Sequence, residues 1–275
     1  MPEVNIIIPN RPCPNCDAQS VHSMLKWSDF HRDQRWADTD PAHILRIGRC
    51  TECSRVYATN SDEVDMSNSK FIHHSPSREP IPSTGRRLDY HRAQVDMLLK
   101  HIETGSSVLD YGSGFCDFLM AAREFGFNVE GLNPNIYAAE WSMRVLGIEV
   151  HRVMGVDFKT DRRYDLVVSD QTFEHLVNPK DDFRKIAEIL SEDGIAYIEV
   201  PNWQTVKRLL GSVDHLKDPM HYNYFTPATL ADMARRSGLR VISKAPTVGR
   251  TAAIRLLKSI VNPLGFGTCS VLLKA

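Results

Sequence analysis

Between Ser107 and Asn202 the chain alternates short apolar runs with amphipathic stretches, and few folds accept that order. "SVLDYG" reads as a strand running into a turn, and "FCDFLMAAREFG" as a helix closed by Gly126. "NVEGLN" is a second strand, and "NIYAAEWSMRVLG" a second helix ending at Gly147. "IEVHR" and "YDLVVSD" follow as strands. "KDDFRKIAEILSEDG" is a helix with Phe183, Ile186, Ile189 and Leu190 on one side, and "IAYIEVPN" is a fifth strand. Strands separated by helices imply a doubly wound, Rossmann-like α/β sheet, with ligands at the carboxyl ends of the strands. Another helix is expected ahead of this region, from about Arg87 to Ile102, with Leu88, His91, Val95, Leu98 and Leu99 on its apolar face. "RVISKA" and "TCSVLLKA" read as late strands.

The turn after the first strand narrows the ligand. In "VLDYGSGFCDF", Gly112 and Gly114 remove side chains where backbone must pass close to something. A dinucleotide fingerprint places a third glycine where this chain has Asp117, and a pyrophosphate there would meet a carboxylate. Asp110, at the strand end, suits a cationic or zwitterionic ligand. A nucleoside that carries positive charge, such as S-adenosylmethionine, fits better than a nicotinamide dinucleotide. A tight turn with no ligand is the alternative. Asn133 stands 23 residues after Asp110, where a ribose-binding acid is expected.

Four of the six cysteines fall in two pairs, "CPNC" (Cys13, Cys16) and "CTEC" (Cys50, Cys53). Each C-x-x-C turn aims two sulfurs at one point, and two such turns make a four-sulfur site that suits zinc. Residues 1–60 are therefore expected to form a zinc ribbon, with a polar loop, "SDFHRDQRWADTD", among the 33 residues between the pairs. Reduced thiols and an iron site are the alternatives. A four-ligand metal is closed and structural, and it supplies folding energy that so small a module lacks. Cys116 and Cys269 read as buried residues. Residues 61–86, with "HHSPSREPIPSTGRR", read as a linker or lid, and 87–275 as the catalytic domain.

The 275 residues are 42% hydrophobic with a formal net charge of -1, ordinary for a soluble globular chain and without a global basic field for nucleic acid. No apolar run reaches membrane-span length, and the start lacks the pattern of a secretion signal. A cytoplasmic protein with reduced cysteines is the expectation. The oligomeric state is left open.

At "VLDYGSG", "YDLVVSDQTFEHLVNP", "ILSEDGIAYIEVPN" and "HYNYFTPATLADMARRSGL" the chain resembles the class I S-adenosylmethionine-dependent methyltransferases. The nearest group is those with an N-terminal four-cysteine zinc motif, including C-methyltransferases of deoxysugars, and the resemblance covers about residues 10 to 245. It implies that Asp110, Gly112 and Gly114 meet the methionine part of the cofactor. Leu132 would pack on adenine, Asn133 would meet the ribose, and Asp157 would lie near the adenine amino group. Asp170, Gln171, Glu174 and His175 occupy the loop that lines the gap between cofactor and substrate in that family. In the sugar C-methyltransferases a Glu-His pair supplies the base. Here His221 matches the histidine, Met220 replaces the glutamate, and Tyr222 and Tyr224 flank it. His175 is a second candidate base or a brace of its loop, and His221 a base or a packing residue.

The resemblance stops short of the further C-terminal domain of those enzymes; 54 residues follow His221. They include "RTAAIRLLKSIV", whose Arg250, Arg255 and Lys258 would contact an anionic substrate or form a solvated helix face. The implied activity is methyl transfer to a small molecule, a sugar, nucleotide sugar or related metabolite. An RNA or protein methyltransferase docked through the ribbon, and a non-catalytic cofactor-binding scaffold, are the competing readings.

Overall fold

The computed structural model describes residues 6–7, 9, 11–24, 46–60, 80–204, 220–244 and 268–275. Residues 61–79 of the expected linker, the polar loop between the cysteine pairs, and the helix carrying Arg250, Arg255 and Lys258 lie outside the described residues.

The N-terminal strands are β1 (Ile6–Ile7), β2 (Val21–Ser23), β3 (Ile47–Cys50) and β4 (Val56–Ala58). Helix α1 (Gly85–Leu98) leads into β5 (Ser107–Tyr111), α2 (Asp117–Glu124), β6 (Asn128–Leu132) and α3 (Ile136–Trp141). A π-helical turn, Ser142–Leu146, extends α3 before β7 (Val150–His151). Next come β8 (Tyr164–Asp170), α4 (Pro179–Ile189) and β9 (Leu190–Pro201). The described chain closes with β10 (Asn223–Tyr224), α5 (Pro227–Arg236), β11 (Arg240–Lys244) and β12 (Thr268–Lys274).

Seven strands form one mixed sheet in the order β11-β12-β9-β8-β5-β6-β7. β5, β6, β7, β8 and β9 are parallel, whereas β12 runs antiparallel between β9 and β11. The sheet is buried on both faces, and the period-two alternation of its strands shows how. Val108, Leu166, Val168, Ile195 and Tyr197 face the core that includes Leu88, Val95 and Leu98 of α1 and Phe118 and Leu119 of α2. Leu109, Val167, Ala196, Ile198 and Val200 face the opposite core, with Phe183 and Ile186 of α4 and Leu230 and Met233 of α5. Helices on both faces of a largely parallel sheet give the expected α/β class.

Local signals explain several boundaries. α4 starts with Pro179 at its first turn, and Asp181 and Asp182 complement the helix dipole. α5 opens on a capping box in which Thr226 and Thr229 satisfy each other's backbone N–H, with Pro227 following. One boundary differs from the sequence expectation: Leu190 does not continue α4. Its backbone turns extended (ψ 143) and it pairs with Tyr164 as the first residue of β9.

The chain leaves β5 toward β6 and β7 on one side, then crosses to β8 and β9 on the other. Such a switch point leaves a crevice at the strand ends. β1 to β4 form a second, antiparallel sheet, and β10 completes it through Asn223 opposite Tyr57 and Tyr224 opposite Val56. The cysteine module is thereby stitched to the segment that follows residue 219. Arg55 is fully buried in the seam. Its guanidinium donates to Asn223 Oδ1 at 3.0 Å and lies 4.3 Å from the centre of the Phe225 ring. Arg11 donates to Val177 O at 2.6 Å, and Asn15 to Asp232 Oδ2 at 2.8 Å. Among the described residues no helix is long and apolar enough to cross a membrane.

Candidate active site

The turn after β5 is built by backbone that ordinary residues resist. Gly112 has φ +99 and Gly114 φ +51, and Cys116 enters α2 with φ 62. The amides of Gly112 and Ser113 both donate to Leu132 O, at 3.0 and 2.9 Å, which locks the turn onto the end of β6. A Cβ on Gly112 would stand 2.2 Å from Thr172 Oγ1, whereas one on Gly114 would meet nothing within 4 Å. Gly112 is thus needed for packing of the turn on the loop after β8, and Gly114 leaves open space at the ligand side. Asn133 braces the same turn. Its Nδ2 donates to Gly114 O at 3.2 Å, and its Oδ1 accepts from Asn135 N at 2.9 Å.

These residues border a cavity of about 680 Å³ at the switch point. Asp110, Gly112, Gly114, Leu132, Asn133, Asp170 and Gln171 all line it, so most of the expected cofactor residues converge. Asp157 does not line it. That residue is exposed on the 3-10 turn Gly155–Asp157, while its neighbours Met154 and Gly155 form part of the wall.

The floor is acidic. Asp110 and Glu199 are 5% and 4% exposed, and Asp170 lies between them in the sheet. Glu199 accepts from Tyr90 Oη at 2.5 Å and from the Tyr197 hydroxyl, and Asp170 accepts from Gln94 Nε2 at 3.2 Å. Burial and then the Asp170 and Asp117 charges push Asp110 well above the usual carboxylate range. Burial and the Glu199 charge push Asp170 up to about 7. Arg87 stands at the exposed side of the cavity, ion-paired with Asp117. Tyr90, Arg87 and Glu199 were not singled out from sequence. The signal for Glu199 was present, an acid near the end of the apolar run "IAYIEV"; nothing in the apolar periodicity of α1 marks Arg87 or Tyr90.

His175, His221 and Tyr222 are not among the cavity-lining residues, although Thr172 and Leu176 on either side of His175 are. The His175 and His221 rings meet edge to face, 4.9 Å between centres. Buried Glu174 places Oε1 3.8 Å from His175 Nε2. Tyr222 is 2% exposed; its amide donates to Glu174 O and its carbonyl accepts from Ala58 N of the cysteine module, both at 2.8 Å. Burial raises its phenol pKa.

All four expected metal-site cysteines come together. Cys13 Sγ lies 3.6 Å from Cys53 Sγ, and Cys16 Sγ 3.5 Å from Cys50 Sγ. All four sulfurs fall within 4.8 Å of one another. A tetrahedron with Zn–S bonds of about 2.3 Å has edges of ~3.8 Å, so the cluster has the size of a zinc site. Cys116 and Cys269 are buried elsewhere.

The cavity also fits S-adenosylmethionine. Asp110 lies buried with Asp170 and Asp117 acting on it, and this gathering of acids suits a ligand's ammonium or sulfonium. Arg87 offers a counter-charge for a carboxylate, and Leu132, Pro134, Val153 and Met154 offer an apolar wall for a base.

Comparisons with known proteins agree with this geometry. Residues 85–244 match the family described as a methyltransferase domain. A search of curated proteins finds no match to the chain. Among solved structures, an S-adenosylmethionine-dependent methyltransferase from Clostridium acetobutylicum superposes with a TM-score of 0.54 at 10% identity, covering 70% of this chain and 92% of that one. Another, from Mesorhizobium loti, gives 0.53 at 18% identity over 68% and 100%. The CcbJ methyltransferase of Streptomyces caelestis gives 0.51 at 14% identity over 75% and 94%. These likenesses establish the fold, and the domain match spans more than half of the chain. The chain belongs to the class I S-adenosylmethionine-dependent methyltransferases.

Proposed function

We propose that this enzyme methylates a small molecule, a sugar or nucleotide sugar being the class favoured, and that its four-cysteine module carries a structural zinc. The observation that carries the reading is the acid-floored cavity at the switch point, bordered on one side by the loop of Glu174 and His175. In this reading Asp110, Gly112 and Gly114 hold the methionine part of the cofactor, Leu132 packs on adenine, and Asn133 uses its remaining hydrogen-bonding capacity on the ribose. Asp170 and Gln171 face the junction between cofactor and acceptor. The bound cofactor supplies an electrophilic methyl group on sulfur. The protein's part is to hold the acceptor in line with it and to exclude water, which provides most of the rate. Loss of the acceptor's proton falls to the cluster of Glu174, His175 and His221.

The cysteine module supports a brace more than a docking platform, because its fifth strand is the segment that follows His221. Four thiolates around zinc carry net negative charge, and the fully buried Arg55, electrostatically coupled to Cys13 and Cys53, offers compensation.

His221→Ala is expected to lower turnover by about 10²–10⁴-fold. Cofactor affinity should stay within about twofold, since the cavity walls are untouched. Single-turnover assays with labelled cofactor, screened over nucleoside diphosphate sugars and free sugars, test both this and the substrate class. Methyl transfer only to RNA or to protein would overturn the small-molecule reading.

Asp170 sets a pH dependence. Its folded pKa of about 7 lies above the ordinary 3.8, so the folded protein keeps a proton that the unfolded chain has released. That contribution to stability is present below about pH 4 and is lost as pH rises to about 7, with a slope of at most about 1.4 kcal/mol per pH unit. A cationic ligand favours the ionised carboxylate, so cofactor binding at pH 6–6.5 should release protons and tighten toward pH 7.5. Calorimetry in buffers of different ionisation enthalpy measures this. Proton uptake would contradict it.

A further inference from the structure

We infer that Glu174, His175 and His221 form a second metal site, which takes a divalent first-row cation at the acceptor side of the cavity. Each residue offers one ligand atom, and the three atoms lie within 4.8 Å of one another. Two imidazoles and one carboxylate are a donor set for Mn²⁺, Fe²⁺, Co²⁺ or Zn²⁺, and three protein ligands leave coordination positions open.

The hydrogen bonding around His175 points the same way. Its Nδ1 lies 2.8 Å from Met220 O. A carbonyl can only accept, so Nδ1 carries a hydrogen, and Nε2 is the ring atom turned toward Glu174. Metal-binding histidines are oriented by this kind of outer bond to a backbone carbonyl. Nε2 faces Glu174 Oε1 across 3.8 Å. Ligands about 2.1 Å from a common ion stand ~3.0 to ~4.2 Å apart, and 3.8 Å falls inside that span.

The supports are rigid. Glu174 and His175 share one 3-10 turn, Phe173–His175. His221 comes from the segment leading into β10, fixed by Tyr222 N on Glu174 O (2.8 Å) and by Asn223 Nδ2 on Leu176 O (2.5 Å). The cysteine module holds the same segment from behind through Ala58 N on Tyr222 O. The site is therefore preorganised by three separate connections, in contrast to a surface cluster that must gather its ligands.

Thr172 and Leu176, which flank Glu174 and His175 in the chain, line the cavity, so an ion here would lie behind that wall. It would act as a Lewis acid on an acceptor hydroxyl. The acceptor class that suits two open positions is one with adjacent oxygens, such as a vicinal diol. With the ion bound, Glu174, His175 and His221 are its ligands and no longer take the acceptor's proton: the hydroxyl O–H bond breaks and its proton passes to solvent. The oxygen pair forms the new O–CH₃ bond, and the C–S bond breaks with its electrons left on sulfur, giving a neutral thioether. This role rests on the methyltransferase reading; the ion site itself does not.

The test is titration of the zinc-loaded full chain with Mn²⁺, followed by loss of the free-ion paramagnetic resonance signal, with S-adenosylmethionine binding measured on the same samples. Mn²⁺ does not displace zinc from four thiolates, so the two sites are read separately. One Mn²⁺ per chain is expected, with Glu174→Gln and His221→Asn each weakening it at least about tenfold. Cofactor affinity within twofold of wild type shows that each variant is folded, and His221→Asn decides if Glu174→Gln does not fold. The site is overturned if neither Mn²⁺ nor Co²⁺ binds beyond the cysteine module, or if binding survives in folded variants unchanged. Mn²⁺ binding without any cofactor binding would leave the ion site standing and remove the proposed role.

Discussion

Cys50→Ser is expected to release the zinc proposed for the N-terminal module and to lower turnover by about 100-fold or more. The chemistry lies elsewhere in the molecule, so the effect must travel through structure. Structural zinc contributes on the order of 10–16 kcal/mol in small modules, and this one has a core of few residues: Cys13, Val21, Cys50 and Tyr57 with their neighbours. β4 of the module pairs with β10, and Ala58 N holds Tyr222 O. Loss of the module frees the segment of His221 and leaves Arg55 without its seam. Metal content, turnover and hydrogen exchange of residues 220–225 should change together. Retained zinc, or exchange protection of this segment after zinc loss, would show that the module and the site are independent.

Gly112→Val should cost the fold about 2–6 kcal/mol and reduce cofactor affinity at least about 100-fold. At φ +99 a side chain is strained by about 1–3 kcal/mol. The new Cβ would also overlap Thr172, whose Oγ1, Cγ2 and Cβ lie 2.2, 2.6 and 2.9 Å from it. Thr172 is buried and β-branched and cannot swing away, so overpacking adds about 1–3 kcal/mol. Gly114 offers a control. Alanine there meets open space, so the loss of stability is limited to backbone strain, and a larger residue would protrude toward the ligand. Equal melting temperatures and affinities for Gly112→Val and wild type would refute this account of the turn.

Much of this was legible in the sequence because the signals were local. The strands at Val108, Val129 and Leu166 are short, mostly apolar segments set between amphipathic stretches, and Thr226-Pro227 announces α5. The four cysteines declare their cluster by spacing alone. What escaped was set by three-dimensional pairing. Leu190 has the right period for α4, yet its pairing with Tyr164 places it in β9. β10 is only two residues long, Asn223 and Tyr224, and no local pattern identifies it as a strand of the cysteine module. Asn133 stands where a ribose-binding acid is expected; its hydrogen bonds to Gly114 and Asn135 show a second duty that an aspartate could not share, since the bond to Gly114 O needs a donor. The resemblance implies a place for Asp157 near adenine, whereas Met154 and Gly155 are the residues of this segment that line the cavity. Tyr90 and Glu199 meet across 109 positions of sequence, a separation no periodicity can bridge.

Calorimetric titration of wild type and Asp110→Ala with S-adenosylmethionine tests most directly that the cavity is the cofactor site. One site per chain is expected, with nicotinamide dinucleotide failing to compete. Asp110→Ala should weaken binding by about 1–3 kcal/mol, as for loss of a charge-assisted contact. Tight binding of the dinucleotide, or an unchanged cofactor affinity in a folded Asp110→Ala variant, would contradict it.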